Sequence, residues 1–180
     1  VSLTLCAALA LSGCTSSGSG SEAAAQGTPA SPSSTPSAAK DPAETMKKEA
    51  IAAYAGYWQE MEKLYADRTG KSAHLDQYAA SAALKNAEAD AKSAHDRGNV
   101  LLGEVALTDQ TAKVDASGKL ANATVSSCLD ISAWQTVDAE TKKPVSLPEN
   151  RMTKYWIVST VEEYPQGWRV IRDEPQGKPC

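Results

Sequence analysis

At Asn99 the apolar period of this chain changes. Before that point Ile51, Tyr54, Trp58, Met61 and Tyr65 recur at spacings of three and four. That is one stripe along a helix. After it, Ala121, Ala123, Val125, Ser127 and Leu129 alternate with Asn122, Thr124, Ser126, Cys128 and Asp130. That is the period of a strand with two unlike faces. Helices first and an antiparallel meander second define an α+β domain, with the helices packed on one face of a curved sheet.

The first helix has a readable start. Asp41 can cap, Pro42 suits the first helical position, and Glu44 stands where a reciprocal capping carboxylate belongs. The stripe, widened by Tyr57 and Leu64, carries the helix to about Asp67, and Gly70 supplies a stop. Leu75, Tyr78, Ala79, Ala82 and Ala83 share one face of a short helix, and Ala87, Ala91 and Ala94 line another that ends at Gly98. A strand begins at Leu102 and runs toward Val114, followed by a turn at Asp115-Ala116-Ser117-Gly118. Trp134–Val137 reads as a short strand, and residues 138–150 as a polar excursion with two prolines. Thr153–Glu163 is the clearest strand, with Tyr155, Ile157, Ser159 and Val161 on one face and Trp156, Val158 and Thr160 on the other. Tyr164-Pro165-Gln166-Gly167 turns the chain, and Trp168–Arg172 closes a hairpin.

The N-terminal part is of another kind. Val1–Leu11 is uncharged and mostly apolar, and it ends in Leu11-Ser12-Gly13-Cys14. An apolar segment closed by small residues is the core and cleavage site of an export signal. The run is too short to span a bilayer, which needs ~20 apolar residues. No Lys or Arg precedes it, so the true start of the signal is expected upstream of Val1. The form Leu-Ser-Gly-Cys resembles the lipobox of bacterial lipoproteins. The resemblance implies that residues 1–13 are removed and that Cys14 carries lipid on the outer face of the cell membrane. Acyl chains contribute ~0.8 kcal/mol per buried methylene, and one chain alone anchors only marginally.

Residues 15–40 are almost entirely Ser, Gly, Ala, Pro and Thr, with Gln26 besides and Glu22 and Lys40 the only charges. Such a composition cannot bury enough apolar surface to offset chain entropy, so residues 14–40 are expected to form a disordered tether. Its random-coil span is roughly 28 Å and its stretched limit about 85 Å. The folded part then covers residues 41–180. The formal net charge is −4, with no basic block, which argues against nucleic acid as a partner.

Two cysteines remain in the folded part, Cys128 and Cys180. In an exported chain the pair is expected to form a disulfide, the alternative being two free thiols. No Cys-x-x-Cys or His/carboxylate spacing suggests a metal site or a cofactor. His74 and His95 fall in a polar helical block and read as surface residues. Asp76 and Asp130 have no second catalytic group paired with them in sequence. There is no Gly-x-Ser-x-Gly elbow and no phosphate-binding Gly-rich loop.

The order of elements resembles the nuclear transport factor 2-like superfamily, the cone-shaped, cystatin-like fold shared with ketosteroid isomerases and SnoaL-like proteins. It is most similar to small actinobacterial lipoproteins of unknown function. The residues carrying the likeness are AYAGYW (53–58), the helical block ending at Gly98, ATVSSCLDIS (123–132), VDAETKKPV (137–145) and WIVSTVEEYPQGWRVIRDE (156–174). Lys142-Lys143 replace the Gly usual after the polar excursion. The resemblance implies a conical pocket whose wall includes Tyr54, Trp58, Tyr155, Trp156 and Trp168, with Asp130 and Trp134 near a rim. The alternative is that these aromatics fill the core.

The expected function is a membrane-anchored, extracytoplasmic, non-enzymatic lipoprotein. It binds the bilayer through Cys14 and takes a small apolar ligand or a protein partner of the cell envelope. Two alternatives stand beside it. One is an isomerase-like enzyme using a buried carboxylate. The other is a structural interaction module with a filled cone, exposing an apolar patch around Trp156 and Val158.

Overall fold

The computed structural model describes residues 41–180. The export run, the lipobox Cys14 and the tether lie outside the described residues. Helix α1 spans Pro42–Ala66 and α2 spans Ser81–Asp96, joined through a 3₁₀ turn at Leu75–Gln77. Six strands follow: β1 (Asn99–Leu102), β2 (Ala106–Asp115), β3 (Asn122–Asp130), β4 (Gln135–Asp138), β5 (Lys154–Tyr164) and β6 (Gly167–Pro175). The fold is α+β, with both helices preceding antiparallel sheets in a cone-like arrangement. The main sheet has the order β2-β3-β5-β6, and β1 pairs with β4 in a separate two-stranded sheet.

Helix α1 starts as its sequence demands, with the Asp41 carboxylate accepting from the Ala43 amide at 3.0 Å. Glu44 does not complete a reciprocal cap; it takes the ammonium of Lys47 at 2.6 Å instead. The buried stripe of α1 is Ala50, Ala53, Tyr54, Tyr57, Trp58 and Met61. It faces Ala123, Val125, Ser127 and Leu129 of β3 and Ile157, Ser159 and Val161 of β5, all nearly fully buried. These positions fall opposite one another in the register, for example Val125 with Ser159 and Ser127 with Ile157.

The sequence expects one short helix over Leu75–Ala83, and the chain breaks there. Tyr78 and Ala80 pair instead with the outer edge of β6: the Val170 amide donates to the Tyr78 carbonyl at 2.7 Å, and Ala80 donates to the Val170 carbonyl at 2.9 Å. This closes an edge that would otherwise be open to other chains. Gly56 belongs to the same feature. A Cβ at that position would stand 2.4 Å from the Tyr78 ring, so the helix interior carries the one residue that admits it. Helix α2 buries Ala83, Ala87, Ala91 and Ala94, and these small side chains let it lie close to its neighbours. The strand expected to start at Leu102 is two strands. Gly103, at φ +106°, lies where a Cβ would meet the Ala133 carbonyl oxygen, and the chain turns there from β1 into β2.

Cys128 and Cys180 form a disulfide, with Cα atoms 5.8 Å apart. The chain end reaches Cys128 by running along β5. The Gln176 amide donates to the Trp156 carbonyl, and Trp156 donates to the Lys178 carbonyl, both at 2.9 Å. Trp156 is itself the partner of Cys128 across β3 and β5. The tail and the disulfide therefore meet at the outward-facing patch that the sequence reading placed around Trp156.

Candidate functional site

One irregularity in β6 determines what the sheet presents to the helices. In register, Val161 pairs with Val170, and the next residue back, Thr160, pairs with Arg172. Ile171 is thus an extra residue, a β-bulge. Bulges shift the alternation of faces and re-aim side chains. Strict alternation from Trp168 and Val170 would turn Arg172 toward the helices. After the bulge it is Asp173 that faces them, opposite Ser159.

Asp173 lies in a cleft of about 400 Å³ between the two helices and the ends of β5 and β6. Tyr57, Trp58 and Met61 of α1 form one wall, and Ala83, Asn86 and Asp90 of α2 form another. Tyr155 and Ile157 of β5 complete the lining together with Arg172, Asp173 and Glu174 of β6. The Ser159 hydroxyl donates to Oδ1 of Asp173. It is the carboxyl's one hydrogen-bond partner among the described residues. Loss of surrounding water pushes the Asp173 carboxyl up to about 7; the Ser159 hydrogen bond works against this and the Glu174 charge adds to it. Burial, and next the Asp173 charge, also raise the phenols of Tyr57 and Tyr155, which keeps both neutral.

A second polar contact lies deeper. The hydroxyls of Tyr54 and Ser127 are 2.9 Å apart, and both residues are fully buried. Burial is the main reason the Tyr54 phenol is raised, with Asp173 contributing next. Ser127, Ser159, Tyr54 and Asp173 thus form a polar strip across an otherwise apolar inner face.

The seven expected pocket residues are not gathered in one place. Trp58 and Tyr155 line the cleft. Tyr54, Trp134 and Trp168 belong to the packed core. Trp134 stands edge-on to Trp58 at 6.3 Å and to Tyr65 at 5.0 Å, which fills the space between α1 and the loop after β3. The indole N–H groups of Trp58, Trp134 and Trp168 have no acceptor among the described residues, so these rings act as apolar filling. Trp156 and Asp130 share the outward parity of their strands with Cys128. Asp130 accepts from the Ser132 amide at 2.9 Å, and bonds from Ser132 hold its carboxyl below the usual range. The cone interior is therefore largely filled, and the Asp173 cleft lies to one side of it, under α2.

Sequence reasoning missed Asp173, Ser159, Tyr57 and Asp90 as site residues. A hint for Ser159 was present: a hydroxyl on the apolar face of β5, with Tyr155, Ile157 and Val161. Nothing comparable marked Asp173, because the bulge that turns it inward has no glycine or proline to announce it. His74 begins the 3₁₀ turn, its amide donating to Glu60 at 2.6 Å. His95 lies 3.1 Å from the Tyr65 carbonyl. Neither lines the cleft. Among the described residues no group of His, Cys, Asp and Glu could hold a metal ion.

No family model matches the chain, and no curated protein matches it. Among solved structures, "Crystal structure of intermembrane space region of chloroplast protein ARC6" matches at 13% identity, over 76% of this chain and 98% of that one, with a TM-score of 0.48. A likeness at that level carries no argument about what this chain does.

Proposed function

We propose that this chain is a lipid-anchored extracytoplasmic lipoprotein whose α+β domain binds a small ligand in the Asp173 cleft without transforming it. The observation that supports binding is the cleft itself. Its volume of about 400 Å³ falls in the range of small-molecule sites, and its lining mixes aromatic and aliphatic walls with several polar and charged groups. The Cys128–Cys180 disulfide suits an oxidising compartment. No helix among the described residues is long and apolar enough to cross a membrane. The acylated Cys14 of the lipobox reading would supply the attachment.

Amide chemical-shift mapping with a fragment library of neutral, cationic and anionic members tests the binding reading. Shifts clustered at Tyr57, Ala83, Asn86 and Asp173 support it, and an unperturbed cleft overturns it. Intact-mass analysis of the natively expressed protein tests the anchor: an acylated Cys14 at the N-terminus is expected, and an unmodified one defeats it.

A second reading has one observation in its favour. A carboxyl titrating near neutrality is well placed to move a proton, which is what an isomerase of the nuclear transport factor 2-like type would need. Binding is preferred because none of the other polar groups of the cleft, Tyr57, Asp90 and Tyr155 among them, is hydrogen-bonded to Asp173 among the described residues. A substrate whose turnover vanishes in Asp173→Asn while its binding persists would reverse that preference.

A further inference from the structure

We propose that the cleft selects a small organic cation, an ammonium group on an apolar body, with its charge beside the Asp173 carboxylate and its body against Tyr57, Trp58 and Tyr155. This rests on the ligand-binding reading above and names the class of ligand.

The charges around the cleft are unbalanced. Asp90 on α2 and Asp173 and Glu174 on β6 contribute carboxyls, while Arg172 is the one basic residue of the lining. The Arg172 guanidinium stands 3.9 Å from Glu174, and both side chains are more than half exposed. That pair is internally compensated and faces solvent. Among the described residues neither Asp90 nor Asp173 has a salt-bridge partner. Tyr57 and Tyr155 do not change the balance, because phenols are neutral near pH 7 and burial moves theirs further from ionisation.

Three kinds of ligand can be compared. An anion beside the Asp173 carboxylate meets like-charge repulsion, which a partly buried site screens less than bulk water does. A neutral apolar molecule strips solvent from Asp173 and gives it no new partner in return, which opposes binding. An ammonium meets the carboxylate in a charge-assisted hydrogen bond. The aromatic walls add attraction for a cation where water is excluded.

The test compares benzylammonium, benzyl alcohol and benzoate, which share one ring and differ in charge. Each is titrated into the purified wild-type chain at about pH 8, where the Asp173 carboxyl is ionised, and followed at the amides of Ala83, Asn86 and Asp173. Benzylammonium is expected to bind about tenfold or more tightly than benzyl alcohol, with benzoate weakest. High ionic strength is expected to weaken the first and leave the second unchanged. Asp173→Asn is expected to remove the advantage of the amine, and the wild-type salt comparison decides the matter if that variant does not fold. Equal or tighter binding of the alcohol or the benzoate overturns the cation while leaving the ligand cleft standing. If none of the three probes and no fragment of the library moves those amides, the cleft reading itself fails.

Discussion

Ser159 of β5 and Asp173 of β6 face each other across the sheet, and the serine hydroxyl donates to the aspartate Oδ1. Both side chains lie on the helix-facing side because Ile171 is bulged out of the ladder. One extra residue therefore turns a carboxyl from solvent toward the interior, and the energetics of the domain should register it.

The Asp173 carboxyl titrates at about 7 in the folded chain, against an ordinary value of 3.8. A raised folded pKa means the folded state holds its proton more tightly. The associated stability is complete below about pH 4 and is lost as pH rises toward about 7. At 1.36 kcal/mol per pKa unit the loss approaches about 4 kcal/mol at most, since solvent screening at this partly exposed side chain lowers it. Wild-type protein should thus be less stable to urea at about pH 8 than at about pH 5, and Asp173→Asn should flatten the difference. A wild-type profile level across that window would contradict the placement of the carboxyl.

Tyr54 and Ser127 share a hydroxyl contact of 2.9 Å in a fully buried site. Tyr54→Phe strands the serine hydroxyl, and Ser127→Ala strands the phenol. Each should cost about 1–3 kcal/mol. The double variant should cost less than the sum, with a coupling of about 1 kcal/mol. Strict additivity in denaturant titrations would show that the two hydroxyls do not meet.

The disulfide joins residues 52 apart in sequence. Closing a loop of that length restricts the unfolded chain by roughly 4 kcal/mol. Replacing Cys128 and Cys180 together by Ser should lower stability by about 2–5 kcal/mol. It should also free the tail from β5 and shift tryptophan emission to the red as Trp156 meets more water. Unchanged emission and midpoint would mean that the tail holds its place without the bond.

Gly56 sets helix propensity against packing. Alanine in a helix interior is favoured by about 1 kcal/mol over glycine. The new Cβ, however, would meet the Tyr78 ring at 2.4 Å, and overpacking of this kind costs about 1–3 kcal/mol. Gly56→Ala should therefore destabilise the wild-type domain and become neutral or stabilising when Tyr78→Ala is already present. A stabilising Gly56→Ala in the wild-type background would show that the ring moves aside freely.

Much of this architecture is legible along the chain. The Asp41-Pro42 start, the stripe from Ile51 to Tyr65, the alanine face of α2 and the alternation in β3 and β5 are local patterns. Burial follows them because each depends only on near neighbours in sequence. The partnership of Cys128 and Cys180 could likewise be expected from their number. The break at Ala79–Ala80 could not, because it is made by hydrogen bonds to Val170, some ninety residues away.

Periodicity determined which faces of α1, α2, β3 and β5 would be buried, since a helix or strand commits its side chains every turn or every second residue. Only the tertiary structure decided where space would remain and which charge would enter it. Tyr54, Trp134 and Trp168 close the core because three elements converge on them, and Asp173 turns inward because β6 must slip one residue to stay paired with β5. Strand registry is a property of two segments together, and neither segment encodes it alone.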